Sequence, residues 1–234
     1  MNKSGWLSPA GLSAIATALF AFIAFFKDTL LRHWNRPKLR AELQRYPPDT
    51  SLISDLVGSP VPYFRIKVWN KGKTAADKAE VYAKKMQIKE GKVFQDHINF
   101  LPMNLTWSHL PDDENIYMLT IPPKTFKHCD LGHIYKPDFS VGSLCWKAVV
   151  STNILWRNSP GLDDKSRYFI LNKRKRADDY ENYLPNGEYL LTIVLAAANA
   201  KPREIAIRIV HNGILFDELE RFLAEGSFAE ITKA

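Results

Sequence analysis

Twenty consecutive residues without a charge, Leu7 to Phe26, constrain the structure of this chain more than any other feature. As a helix they would extend about 30 Å, the thickness of the hydrocarbon layer of a bilayer. Trp6 and Trp34 flank them, and indole rings are enriched at headgroup depth. A cleaved signal peptide is the alternative, but no small-x-small cleavage site follows Phe26. We therefore expect a transmembrane helix over residues 7–26.

Basic residues around this stretch predict its orientation. Lys3 precedes it, and five basic residues follow it within about 15 positions: Lys27, Arg32, Arg36, Lys38 and Arg40. These five, with Trp6 and Trp34, are the predicted membrane-interface anchors. Because positive flanks stay in the cytoplasm, we expect residues 1–6 to be extracytoplasmic and 27–38 to be a basic juxtamembrane segment. The expected location is the cell inner membrane, with the C-terminal domain in the cytoplasm.

The distribution of charge indicates the kind of partner. Residues 1–40 hold six basic residues and one acidic residue, which is +5 of the net charge of +7. The rest of the chain is nearly neutral. The excess charge therefore favours the lipid bilayer as the partner, and no nucleic-acid partner is expected.

One face of the uncharged stretch carries only small side chains. They recur at spacings of four and three residues: Ala10, Ala14, Thr17, Ala21 and Ala24. Small side chains let two helices approach closely in lipid, although alanine is also common in helices that do not associate. We interpret this face as a seam for transmembrane self-association, which would make the protein a homo-oligomer.

From Pro60 onward the pattern is that of short β-strands. Two segments alternate cleanly, with apolar residues at Phe64, Ile66 and Val68 and at Ile205, Ile207 and Ile209. Ala79 to Ile88 breaks the alternation, which indicates a bulge or a short helix. Many short strands favour an antiparallel β-sandwich over a small barrel. We expect an all-β domain over residues 39–234, ending in a helix near Leu215–Glu225.

The segment Val68–Ala76 joins a strand to an Asn-x-Gly turn, in which Gly72 is predicted to take a positive φ. Its pattern V-x-N-x-G-x-x-A resembles the strand and turn of immunoglobulin-like bacterial β-sandwiches, including domains related to cell-adhesion modules. Three further segments are similar to membrane-anchored bacterial proteins of that build: Asn104–Trp107, Ile121–Pro123 and Cys129–Leu131. The resemblance, over Tyr63 to Leu131, implies an Ig-like fold and a binding or accessory role, and it implies no catalytic residue.

Two polar clusters are candidate ligand sites. Thiolates, imidazoles and carboxylates can bind zinc, and the candidate ligands of these types are His128, Cys129, Asp130 and His133. In a strand 128 and 130 share one face while 129 points away, so we expect a structural strand with a buried Cys129 and no metal or cofactor. The basic run Lys173, Arg174, Lys175 and Arg176 is a possible anion contact. Acidic residues follow it, so a self-neutralising surface loop is the alternative.

No P-loop, nucleophile elbow, dinucleotide fingerprint or zinc-protease motif is present in the sequence. We therefore expect no enzymatic activity. The predicted function is a membrane-tethered interaction or accessory domain that binds another protein at the cytoplasmic membrane face. The alternative is a ligand-sensing membrane effector, for example in bacterial antiviral defence, whose β domain binds a small anionic ligand and whose helices oligomerise. Cys129 and Cys145 are expected to be reduced thiols.

Overall fold

The computed structural model describes residues 9–54, 60–98, 100–108, 118–135, 168–172, 183–214 and 216–232. Its helices are α1 (Pro9–Asn35) and α2 (Leu219–Glu225). Its strands are β1 (Leu39–Glu42), β2 (Thr50–Ser54), β3 (Pro60–Asn70), β4 (Ala76–Glu90), β5 (Val93–Asp96), β6 (Met103–Asn104), β7 (Leu119–Ile121), β8 (Phe126–Tyr135), β9 (Tyr168–Leu171), β10 (Tyr183–Leu184), β11 (Gly187–Ala197), β12 (Ala200–His211) and β13 (Phe228–Ile231).

These strands form two antiparallel sheets. The first sheet has the order β1-β3-β8-β9-β10, and β2 also pairs with β3. The second has the order β13-β12-β11-β4-β5, and β6 and β7 also pair with β4. Buried side chains from both sheets form one apolar cluster. The predicted all-β architecture of sandwich type is therefore confirmed.

Alternating side chains in the sequence explain how the strands meet. Phe64, Ile66 and Val68 of β3 are buried in the core, while Arg65 and Lys67 lie on the outer face. The central strand of the second sheet repeats this pattern, and its buried residues are Tyr189, Leu191, Ile193 and Leu195. Burying an apolar side chain of this size contributes about 1.5–3 kcal/mol. The period-two pattern thus selects which face of each sheet meets the other sheet.

The broken alternation in β4 is a β-bulge. Thr192 of β11 pairs with Lys85, and the next residue, Ile193, pairs with Ala83. Lys84 is the extra residue, and its insertion brings Ala83 and Met86 to the same, buried side. Of the two interpretations of this segment, the bulge is confirmed and the short helix is wrong.

Helix α1 is longer than the segment predicted at residues 7–26. It continues to Asn35, where a helix is expected to end because Pro37 restricts the residue before it. Among the residues that the structure describes, no helix has the length and hydropathy required to cross a membrane. The transmembrane assignment is therefore not confirmed.

The C-terminal region also differs from its prediction. Helix α2 begins at Leu219 rather than near Leu215, and Phe222 is its buried residue. The ring centroid of Phe222 lies 6.1 Å from that of Phe64 in β3, so the helix packs against the core. Strand β13 follows and pairs with β12. The sequence analysis missed this edge strand.

Candidate functional site

Large apolar side chains on α1 are exposed along most of its length. They are Leu12, Ile15, Leu19, Phe20, Phe22, Ile23, Phe25 and Phe26. Phe20 is 73% exposed and Phe25 is 82% exposed, so the sandwich does not cover them. A helix that is apolar on most sides is typical of burial in lipid or in a protein core. Ten of the eighteen exposed large apolar side chains among the described residues belong to α1.

The predicted interface anchors lie at or beyond the end of this apolar surface. Trp34 is 73% exposed on the last turn of α1, and Lys27, Lys38 and Arg40 are exposed. Arg36 is half-buried at the junction with the sandwich. Arg32 lies in the same helix. Trp6 lies outside the described residues.

The predicted self-association seam is exposed at Ala14, Thr17, Ala21 and Ala24, and Ala10 belongs to the same helix. The hydroxyl of Thr17 donates a hydrogen bond to the carbonyl of Ser13 at 2.9 Å, within the helix. The hydroxyl proton of Thr17 is therefore already donated to a hydrogen bond within its own helix. Association between copies stays a prediction.

Asn70 fixes the end of α1 to the sandwich through its side chain. Its Oδ1 accepts hydrogen bonds from the backbone N–H of Lys38 at 3.2 Å and of Gly72 at 2.9 Å. Its Nδ2 donates to the carbonyls of Thr74 at 2.7 Å and Ile121 at 3.0 Å. Asn70 is fully buried. One amide thus joins the chain after α1, the β3–β4 turn and β7.

We call residues 35–38 together with 70–74 the joint. Thr74 adds a hydrogen bond from its hydroxyl to the carbonyl of Asn35 at 2.8 Å, and the backbone of Lys71 bonds that of Lys38 at 2.8 Å. Both ends of the joint are therefore held by hydrogen bonds. These contacts attach the last residue of α1 and the chain that follows it to the sandwich.

Gly72 is required in the joint by close approach of the backbone. A Cβ atom there would lie 2.5 Å from Pro37 Cα and 2.6 Å from the carbonyl oxygen of Arg36. The prediction of a positive φ at Gly72 is wrong, since the described glycines with positive φ are Gly91 and Gly213. The Asn-x-Gly pattern forms a turn, in which Gly72 is needed for a close contact with residues 36–38 rather than for a positive φ.

Three cross-strand pairs place polar side chains on the outer face of the first sheet: Tyr63 with His133, Arg65 with Asp130, and Lys67 with His128. We call these six residues the polar face. A register shift at Leu131 interrupts the pairing of β3 with β8. Without this extra residue, Asp130 and His133 would lie on opposite faces, because side chains alternate along a strand.

Asp49 organises one side of the polar face. Its carboxylate is fully buried and lies 3.2 Å from His128 Nε2 and 3.6 Å from Lys67 Nζ. It also accepts a hydrogen bond from the backbone N–H of Gln44 at 3.1 Å. A buried carboxylate needs such partners, because an unpaired one would be strongly destabilising. The segment between β1 and β2 therefore supplies a buried structural anion.

A second polar group surrounds Tyr63 and Asp130. The ring of Tyr63 stacks on His133 with centroids 5.8 Å apart, and Asn172 contacts both residues through hydrogen bonds. Ser108 donates a hydrogen bond to Asp130. Arg65 Nε lies 3.6 Å from Asp130, too far for a hydrogen bond, and is a buried donor without a partner among the described residues.

Burial controls the protonation of this region. It lowers the pKa values of His128 and His133, although Asp49 and Asn172 oppose the effect through hydrogen bonds. Burial, and then the charge and hydrogen bond of Asp130, raise the pKa of Tyr63. The polar face thus holds neutral imidazoles and a protonated phenol near neutral pH. Its two cations each lie beside an aspartate, so its charge is largely compensated.

The four candidate metal ligands do not converge. Cys129 is fully buried in the core, whereas His128 and Asp130 lie on the opposite, polar face. Burial raises the pKa of the Cys129 thiol well above its usual value, so it does not supply a thiolate. No group of three potential ligands suitable for a metal occurs among the described residues. The predicted structural strand with a buried Cys129 is confirmed.

The basic run was the second candidate ligand site. The run Lys173–Arg176 lies outside the described residues, as does Cys145. No protein family, curated protein or solved structure matches this chain.

Sequence reasoning missed Asn70 and Asp49 as organising residues. A polar residue that directly follows a buried strand and directly precedes a tight turn is a signal that could have found Asn70. Asp49 follows two prolines, and its sequence context is that of an exposed turn. Its burial depends on Lys67 and His128, which are distant in sequence, so no local signal reveals it.

Proposed function

We propose that this protein is a membrane-attached interaction module, in which α1 attaches to the lipid bilayer and the β-sandwich binds another protein. The observation that carries the attachment is the exposed apolar surface of α1. Exposure of this apolar surface to water is unfavourable, whereas its burial in the hydrocarbon of a bilayer is not. Residues 9–26 of the helix contain no charged side chain, which supports a single pass through the bilayer. The seam would then lie within the bilayer, and the anchors would lie at its surface.

The joint supports a role in presentation. Asn70 and Gly72 fix the chain that directly follows α1 to the sandwich, so the domain would be held close to the membrane surface. The polar face includes Tyr63 and Arg65, with Trp69 beside it, and residues of these types contribute most to binding at protein interfaces. Together with the resemblance to Ig-like binding domains, this supports a non-enzymatic accessory role.

The experiment that tests attachment is flotation of the full chain with phospholipid vesicles. We expect the wild-type chain to float and the double variant Leu19→Asp, Phe22→Asp to remain at the bottom, because two carboxylates in the apolar surface oppose insertion. The matched control is Val93→Asp, Ile98→Asp, in which two exposed apolar residues of the sandwich change instead. Equal flotation of all three chains would contradict the proposal.

Orientation has a separate test. Since five basic residues follow the apolar segment and one precedes it, a reporter fused after Ala234 should be cytoplasmic. Activity of an alkaline phosphatase fusion at that position would reverse the assignment. The rival function, a sensor of a small anionic ligand, is less well supported, because Asp130 and Asp49 already compensate Arg65 and Lys67.

A further inference from the structure

Hydrogen bonds bring four chain segments together where α1 joins the sandwich. Lys71 bonds Lys38 through the backbone at 2.8 Å, Lys124 bonds Asn70 at 2.8 Å, and the side chain of Asn199 bonds the carbonyl of Ala75 at 2.9 Å. We call these segments, residues 35–38, 70–78, 121–127 and 198–201, the basic end. Only the first lies near α1 in the sequence.

The basic end has an excess of positive charge. Its eight basic residues are Arg36, Lys38, Lys71, Lys73, Lys78, Lys124, Lys127 and Lys201, of which all except Arg36 and Lys71 are exposed. One acidic residue, Asp77, lies within these segments, so their net charge is +7; Glu42 lies outside them. Asp77 bonds the amide of Asn199 at 3.0 Å, and Glu42 lies 3.8 Å from Lys71. The remaining lysines have no comparable acidic neighbour within these segments.

Two of these lysines occupy unusual backbone positions. Lys78 has φ 51° and Lys124 has φ 60°, in the left-handed region where glycine or asparagine is usually found. The side chain of Lys124 also donates to the carbonyl of Lys71 at 2.9 Å. Lysine is therefore present at two turn positions that its backbone preference does not favour. Both lysines add positive charge, which glycine or asparagine at these turns would not.

The opposite end of the sandwich is acidic. Strands β4, β11 and β12 run from the basic end to segments 88–96, 185–188, 211–214 and 216–227. These segments hold seven acidic and three basic residues, a net charge of −4. Charge is thus separated along the strand direction, with the positive side next to α1.

We infer that the basic end is a docking surface for anionic lipid headgroups. It lies next to the end of α1, and headgroups would surround the point at which α1 enters the bilayer. The inference rests on the proposed attachment through α1 and adds a second contact to it. Lysines near an anionic membrane surface are attracted to it, and salt screens this attraction. The same surface would repel the acidic end. The sandwich would therefore orient with its basic end toward the membrane, and its polar face would not face the lipid.

The test measures how close each end lies to the lipid. Lys73→Cys at the basic end and Lys92→Cys at the acidic end are each made in the full chain with Cys145→Ser, and each carries a donor fluorophore. Cys129 is fully buried and does not compete for the label. Vesicles contain a headgroup-labelled acceptor, in phosphatidylcholine alone or mixed with phosphatidylglycerol.

We expect energy transfer from position 73 to rise when phosphatidylglycerol is present, and the rise to be lost at high salt and in the variant Lys124→Gln, Lys127→Gln. Transfer from position 92 should stay low in both lipids. Flotation without a lipid-dependent rise at position 73 would overturn this inference and leave the proposed attachment intact. A chain that does not float at all would overturn both.

Discussion

The side chain of Asn70 binds the backbone of Lys38, which lies 32 residues earlier in the chain, at 3.2 Å. The same amide closes the β3–β4 turn through Gly72 and reaches β7 through Ile121. Both its oxygen and its nitrogen therefore serve two partners each. This concentration of hydrogen bonds at one buried side chain makes the joint between α1 and the sandwich sensitive to single substitutions.

Asn70→Ala should lower the free energy of unfolding by about 2–4 kcal/mol, because it leaves buried backbone groups without partners. Chemical denaturation of the full chain measures the change. Asn104→Ala is the control, since the amide of Asn104 is half-buried and donates to Glu80 at 3.3 Å. We expect it to change stability by less than about 1 kcal/mol. If both variants lose a similar free energy of unfolding, the hydrogen bonds of Asn70 in the joint contribute no more to stability than the hydrogen bond of Asn104.

Gly72→Asn should destabilise the protein by about 1–3 kcal/mol, because its Cβ would meet the backbone of Pro37 and Arg36. Gly91→Asn is the matched control. Gly91 has φ +61° and open space around it, and asparagine tolerates this conformation. Thermal unfolding of the two variants separates steric contact from backbone preference. If Gly91→Asn is the more damaging change, our explanation of Gly72 fails.

Stability should fall as the pH falls from about 7 toward 5. Burial lowers the pKa values of His97, His128 and His133 in the folded protein. Below about pH 6.5 the unfolded chain binds protons that the folded chain does not, which favours unfolding. Above that pH the histidines are neutral in both states and the effect ends.

Unfolding midpoints measured across this pH range test the prediction. His133→Gln removes one of the titrating groups and should reduce the dependence of the midpoint on pH. An unchanged slope in this variant would exclude His133 as a contributor.

The seam on α1 should govern self-association if copies meet in the membrane. Replacing Ala14 and Ala21 by leucine keeps the helix apolar but separates the two backbones, so association should weaken. Leu19→Ala with Ile23→Ala changes the opposite face and should leave association nearly unchanged. Cross-linking in membranes measures both. If the seam variants associate as well as the wild type, the seam does not mediate self-association and α1 serves only to attach the protein to the membrane.

The sequence predicted those parts of the fold that local patterns encode. Alternation placed β3 and β12, and its interruption in β4 indicated either a bulge or a short helix, of which the structure has the bulge, at Lys84. Helix α1 ends at Asn35, two residues before Pro37, which restricts the residue that precedes it. Strand β13 was missed because four residues carry too little pattern, and it forms by pairing with β12.

The candidate sites were harder to predict because they depend on residues distant in sequence. The conformation of Gly72 was wrongly assigned, since the contact that requires glycine comes from Pro37. Likewise, the turns that supply Lys73, Lys124 and Lys201 to the basic end meet only after both sheets have formed. The linear charge distribution, which placed most of the excess before residue 41, conceals this cluster.

One edge of the second sheet is divided among β5, β6 and β7, which pair in turn with successive parts of β4. Molecules confined to a bilayer meet one another far more often than the same number dispersed in a cell volume. A long uncovered β4 would offer each encounter a template for intermolecular strand pairing. Short strands along that edge leave little continuous backbone for a neighbour, so copies attached to a bilayer as proposed would be protected from aggregation through this edge.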